Sequence, residues 1–187
     1  VTAKPSMSEG GGFGRLLLRV SGAVDRVLET SGALIIGVTL TAAFAALLAN
    51  VVLRYVFGEG MAWAYEIHAI LFPWLVAGGV VVASVKSRHI SVTVLVDILP
   101  PSLRRALWVL VCVLICAIAI GVLRTSGPII NAAKFQRLSG IPVTQYWGYL
   151  SLYYTFGAMA LNAGLAALRG AFAYEDPMVD PTQTSFS

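Results

Sequence analysis

The sequence predicts an all-α integral membrane protein that crosses the bilayer four times, and three observations carry that prediction. The chain is 58% hydrophobic and 12% charged, whereas a soluble globular chain has about 45–50% apolar and about 25% charged residues. Its mean hydropathy is +0.81. Four apolar runs, each of about the twenty residues a helix needs to cross a bilayer, are separated by short polar connections. With half the usual charge, too little polar surface remains to cover a water-exposed exterior, so lipid is the solvent for much of it. The 187 residues suffice for one membrane domain and leave no room for a separate soluble one.

Residues 1–12 are polar and glycine-rich and read as a mobile N-terminus. From Phe13, apolar residues recur at helical spacing through Leu16, Leu17, Val20, Val24, Val27 and Leu28, with Arg15, Arg19, Arg26 and Glu29 on the opposite face. That pattern predicts an amphipathic interfacial helix over 13–30, lying in the headgroup plane. The apolar run after it is too long for a cleavable leader and lacks a small-residue cleavage pattern, so it is expected to stay in the membrane.

The first span covers about 31–53 without an ionisable side chain. At 1.5 Å per residue it reaches about 35 Å, enough for a tilted crossing. Gly37, Thr41, Ala45 and Ala49 recur every fourth residue and form a stripe of small side chains, a feature that lets helix backbones approach closely in lipid. A short connection brings Tyr55, Trp63 and Tyr65 to interface level. The second span, 67–85, contains Pro73, which should kink it, and Gly78 and Gly79, which permit close contact. Glu66 at its start suits the positive end of a helix dipole.

Lys86, Arg88 and His89 close the second span, and 90–99 reads as a second surface-lying helix ended by Pro100 and Pro101. The third span is 106–123, with Gly127 and Pro128 breaking its continuation. Lys134 and Arg137 lie in the next connection, Gly140-Ile141-Pro142 marks a turn, and the fourth span is 146–168. Residues 169–187 are acidic and read as a disordered cytoplasmic tail. Nine of the 13 Lys and Arg residues then fall on the side of the termini, against Arg54, Arg124, Lys134 and Arg137 on the other. The positive-inside rule places both termini in the cytoplasm.

Chemistry is sparse. The first, third and fourth spans hold no ionisable group, and His68 in the second reads as a hydrogen-bonded interfacial residue. Bis-histidine haem needs two intramembrane histidines, a zinc hydrolase needs clustered ligands, and neither pattern occurs. There is no Ser–His pair at motif spacing, no P-loop and no dinucleotide-binding glycine pattern. Cys112 and Cys116, one helical turn apart in an apolar run, read as small core residues. No catalytic, metal or cofactor residue is therefore expected, and the residues describe an accessory or scaffold subunit. The alternative is a stand-alone small four-span carrier, for which Glu66 is the one acidic candidate.

Several segments together resemble a family. Asn50-Val51-Val52-Leu53-Arg54-Tyr55-Val56-Phe57-Gly58 is similar to the end of the first span in the small, DctQ-like membrane subunit of tripartite ATP-independent periplasmic (TRAP) transporters. The likeness continues through Trp63 and Glu66, Phe72, Trp74-Leu75, Gly78-Gly79, Arg88-His89-Ile90-Ser91-Val92, Asp97-Ile98-Leu99-Pro100, and Gly140-Ile141-Pro142 with Trp147. The order and spacing of these segments carry the resemblance, over roughly Leu28 to Leu168. Two departures are Tyr65-Glu66, where the family often has adjacent acids, and Ser91, where it often has a charge.

The resemblance implies a scaffold for a large many-span carrier subunit during sodium-coupled symport of an organic-acid anion, delivered by a transient periplasmic binding protein. Substrate and sodium are then expected to bind the partner rather than this chain. It also implies roles for particular residues. Gly37, Thr41, Ala45, Ala49, Trp74, Gly78 and Gly79 are candidates for contact with the large subunit. Arg54, Lys134 and Arg137 are candidates for binding-protein docking or lipid headgroup contact. Arg54 is a candidate to pair with Glu66, and His89 and Asp97 to order the cytoplasmic loop.

Overall fold

The computed structural model describes residues 12–61, 63–86, 101–138 and 140–172. Six helices account for most of them: α1 (Gly12–Phe57), α2 (Trp63–Glu66), α3 (His68–Lys86), α4 (Pro101–Thr125), α5 (Gly127–Ala133) and α6 (Tyr146–Phe172). The expected surface helix over 90–99, with His89 and Asp97, lies outside the described residues, as do residues 1–11 and 173–187.

The ends of these helices reflect their residues. Gly58, with φ of 77°, takes the left-handed conformation that closes α1, which glycine adopts without a Cβ penalty. Pro101 opens α4 and Pro128 sits in the first turn of α5, where a missing N–H costs no helical hydrogen bond. Pro73 lies inside α3 and deprives the Ala69 carbonyl of its usual donor. The backbone of Gly148 lies against that carbonyl, so close that a β-carbon there would stand 2.9 Å from the oxygen.

Two expectations are corrected. No boundary separates an interfacial helix from the first span, because α1 is a single helix of 46 residues, about 69 Å long. The segment contains no proline, and Leu28, Ser31 and Gly32 around the expected boundary are engaged in contacts. Likewise Arg169 does not begin an unstructured tail. α6 continues to Phe172, and Arg169 Nη2 lies 2.8 Å from Asp25 Oδ2 of α1.

The principal helices pack in the order α1, α3, α6, α4, with α1 also touching α6. α1 runs antiparallel to α3, since Gly32 meets Gly78 and Val82 while Asn50 meets the loop at Gly60 and Met61. α3 and α6 run parallel: Gly148 meets Ala69 at one end and Asn162 meets Ser84 at the other. α4 is antiparallel to α6, with Trp108 against Gly170 and Cys116 against Ala160. Asp25, Lys86, Trp108 and Arg169 therefore share one end of the bundle, the terminal end. The α1–α2 connection and residues 126–145 form the opposite, loop end.

By length and apolarity three helical stretches can cross a membrane: Arg19–Phe57, Trp63–Lys86 and Ala106–Thr125. The expected fourth, α6, is long enough at 27 residues but falls outside that set. Its position explains its composition. α6 is flanked by α3 and α4, and it carries Ser151, Thr155 and Asn162 as buried residues among small ones such as Ala158, Ala163 and Ala166. The flanking helices α1 and α4 are apolar on their outward faces, with Leu34, Val38, Phe44, Leu48 and Val52 exposed on one and Leu110, Leu114 and Ile118 on the other.

Candidate interaction site

The polar side chains of the bundle are used chiefly to bind its own helices together. At the terminal end, Asp25 of α1 pairs with Arg169 of α6, and Glu29 of α1 lies 3.2 Å from Lys86 of α3. Further in, Asn162 Nδ2 donates to the Ser84 carbonyl at 3.0 Å, joining α6 to α3. Ser31 Oγ and Tyr154 Oη lie 2.7 Å apart, joining α1 to α6. Near the loop end, Trp74 Nε1 donates to the Trp147 carbonyl at 2.8 Å, and its ring lies against that of Tyr154 at 5.8 Å. Among the described residues no three His, Cys, Asp or Glu side chains gather in a way that could hold a metal ion.

The residues singled out for contact with a large subunit divide into two groups. Gly37, Thr41, Ala45 and Ala49 are exposed on α1, and a β-carbon at Gly37 would meet nothing within 4 Å. Gly79 of α3 is likewise open. Gly78, by contrast, makes its close approach within the chain: a β-carbon there would stand 2.8 Å from the Gly32 carbonyl oxygen. Trp74 is also engaged within the chain, through Trp147 and Tyr154. Both residues thus make contacts within the chain, Gly78 on the α1–α3 seam and Trp74 on the α3–α6 seam.

At the loop end, short segments are bound to the helix ends by side chains that accept backbone N–H groups. Asn50, buried at 2% exposure, accepts the Met61 N–H at 2.6 Å and so folds the α1–α2 connection back onto α1. Residues 136–138 and 140–145 form a small hairpin, with Arg137 bridged to Thr144 and the Gln145 N–H donating to the Gln136 carbonyl. Glu66 does not pair with Arg54. Its Oε2 accepts the Gly140 N–H at 2.6 Å, at the hairpin tip. Gly140 itself lies against α2, where a β-carbon would stand 2.8 Å from Trp63 Cβ and 3.1 Å from Trp63 Cα.

Arg54, Lys134 and Arg137 are all exposed at this end. Lys134 Nζ stands 5.2 Å from the Tyr146 ring centroid, a cation–π contact. Exposed aromatic side chains lie at the same end, including Tyr55, Phe57, Tyr65, Phe135 and Trp147. The remaining family-motif residue, Trp63, is half-buried beneath the hairpin tip. His68, read as an interfacial hydrogen-bonding residue, places Nδ1 2.7 Å from the Ala64 carbonyl oxygen.

Sequence reasoning did not find the Asp25–Arg169 pair, the Gly32–Gly78 contact or the Asn162–Ser84 bond. Asn162 offered a signal, as an amide inside an apolar run. For the other two, partners far apart in sequence become visible only once the helices are placed.

Comparison with known proteins adds to this geometry. Residues 43–173 match the family model described as tripartite ATP-independent periplasmic transporters, DctQ component. The C4-dicarboxylate TRAP transporter small permease protein DctQ of Vibrio cholerae serotype O1 is 32% identical over 109 residues, covering 55% of this chain and 46% of the relative. A Haemophilus influenzae protein provisionally assigned as a TRAP transporter small permease is 52% identical over 52 residues, covering 28% of this chain and 32% of that one. A further match to a protein of the same description and organism is 27% identical over 109 residues, covering 57% of this chain and 64% of the relative. Each match thus spans less than two thirds of the relative's length. No solved structure shows a significant match.

Proposed function

The chain belongs to the family of DctQ components of tripartite ATP-independent periplasmic transporters, and from that premise we propose that it is the small membrane subunit that braces a large carrier subunit. The observation that carries the reading is the family match over residues 43–173, which runs from the middle of α1 to the end of α6. The distribution of polarity supports it. Polar side chains lie on internal seams, while the outward faces of α1 and α4 are apolar. A chain built this way suits association through its flanks better than passage of a solute through its centre.

In this reading α6 is the fourth crossing, shielded between α3 and α4 and therefore free to be less apolar. The excess of Lys and Arg at the terminal end orients both termini to the cytoplasm of the inner membrane. The flank of α1 carrying Gly37, Thr41, Ala45 and Ala49 meets the large subunit, because small side chains allow close backbone approach where lipid supplies no hydrophobic driving force. Arg54, Lys134 and Arg137 then face the periplasm and meet an acidic face of the binding protein. The organic-acid anion and its coupling sodium bind in the large subunit.

The test is disulfide cross-linking in membranes that contain the assembled transporter. Ala45→Cys on α1 and Ile118→Cys on α4 present thiols on opposite flanks. Cross-linking to a large membrane partner from Ala45→Cys, with little from Ile118→Cys, is the expected result. A chain that supports uptake in liposomes with no partner present would refute the reading.

A further inference from the structure

Glu66 is a carboxylate whose observed work is structural, and its position suggests what that work serves. α2 is only four residues long, yet both loop-end segments are fastened around it. On one side Asn50 holds the Met61 N–H, and the Ala64 N–H donates to the Met61 carbonyl at 3.1 Å, with Ala64 fully buried. On the other side the hairpin tip lies on Trp63, and Glu66 takes its Gly140 N–H. Arg54 stands one helical turn beyond Asn50, and Arg137 stands three residues before Gly140 in the hairpin. α2 therefore links the two exposed cationic segments mechanically, and the Glu66–Gly140 bond is the side-chain fastening on the hairpin side.

We infer that Glu66 is a positioning residue: by latching the hairpin tip at Gly140 to α2, it holds Arg137 at a fixed separation from Arg54, while the end of α5 sets Lys134, so that an acidic face of a soluble partner meets all three cations together. This role rests on the proposed docking of a binding protein at Arg54, Lys134 and Arg137, and adds a residue whose own charge opposes that docking. A fixed constellation loses less conformational freedom on binding than three independent side chains on a loose loop. Glu66 serves as an acceptor for a backbone N–H, which an amide oxygen can replace; its negative charge, at the same end of the bundle as the three cations, works against an acidic partner.

That opposition gives a test in which latch and charge predict opposite signs. The assembled transporter is prepared as wild type, Glu66→Gln, Glu66→Ala and Gly140→Ala. Exchange of the Gly140-region amides is measured, together with binding of the source organism's own binding protein, identified by its co-purification with the transporter. Glu66→Gln keeps an acceptor and removes the charge, so exchange stays near wild type and docking is unchanged or tighter. Glu66→Ala removes both, so exchange quickens about tenfold and docking weakens about three- to tenfold. Gly140→Ala drives a β-carbon into Trp63, lifts the tip with Glu66 intact, and matches Glu66→Ala. If the alanine and glutamine variants of Glu66 bind equally tightly, charge alone governs the site and the inference is overturned. Unchanged exchange in Glu66→Ala overturns it independently. If the wild-type transporter fails to bind the soluble protein, the docking reading falls and the positioning role falls with it, whereas the exchange arm still reports whether the latch exists.

Discussion

Replacing Gly78 by alanine should separate α1 from α3, while the same replacement at the adjacent Gly79 should not. Both glycines lie on α3, and both substitutions gain about 1 kcal/mol of helix propensity. They differ in what the new methyl meets. At Gly79 it meets nothing within 4 Å; at Gly78 it stands 2.8 Å from the Gly32 carbonyl oxygen, 3.0 Å from Ile36 Cγ1 and 3.3 Å from Ile35 Cγ2. Ordinary contact begins near 3.4 Å. The backbones must therefore part by about 0.6 Å, and a radial gap of about 0.5–1 Å forfeits a quarter to a half of each dispersion contact along the seam. Overpacking of this kind costs about 1–3 kcal/mol. With propensity common to both variants, Gly78→Ala should be about 1–3 kcal/mol less stable than Gly79→Ala. Reversible unfolding in mixed detergent micelles, followed by far-UV circular dichroism, measures the difference. Equal midpoints for the two variants would refute the close-packed α1–α3 seam.

Two further expectations concern the internal polar contacts. A double-mutant cycle of Asp25→Asn and Arg169→Gln should show a coupling energy of about 1–2 kcal/mol, above the range of exposed pairs, because the two side chains are only 20% and 26% exposed; coupling below about 0.3 kcal/mol would show that the pair does not tie α1 to α6. Asn162→Leu removes the bond to Ser84 across the α3–α6 seam, and unfolding should become easier by about 0.6–1.7 kcal/mol, the range of intramembrane hydrogen bonds. A more stable Asn162→Leu variant would mean that the unpartnered Asn162 Oδ1 outweighs the bond its amide nitrogen makes.

The parallel course of α3 and α6 explains why single residues in this chain carry more than their spacing suggests. Pro73 frees the Ala69 carbonyl, and Gly148 is the residue small enough to bring α6 against it. Replacing either would alter a seam between two helices that are not consecutive in sequence. Two threonine hydroxyls are handled more locally: Thr39 Oγ1 donates to the Ile35 carbonyl and Thr155 Oγ1 to the Ser151 carbonyl, so each is satisfied within its own helix.

Local physics, and little else, was legible in the sequence alone. Apolar run length determined the helical membrane class, because an unbroken apolar stretch must satisfy its own backbone in lipid. Gly127-Pro128 and the Gly140 turn marked where chain direction changes, since each imposes or tolerates a particular backbone geometry. The order of short motifs from Asn50 to Trp147 pointed to the family that the match over residues 43–173 then showed. Tertiary structure decided which small residues are occupied internally and which are open: Gly78 faces Gly32, whereas Gly37 faces nothing. It also decided that Glu66 answers Gly140 rather than Arg54, and that Arg169 answers Asp25 across 144 positions. The physical reason is that a helix propagates by bonds four residues long, which sequence periodicity reports directly. A glycine, a carboxylate or a guanidinium acquires its role from whichever neighbour the packing brings, and that neighbour lies on another helix.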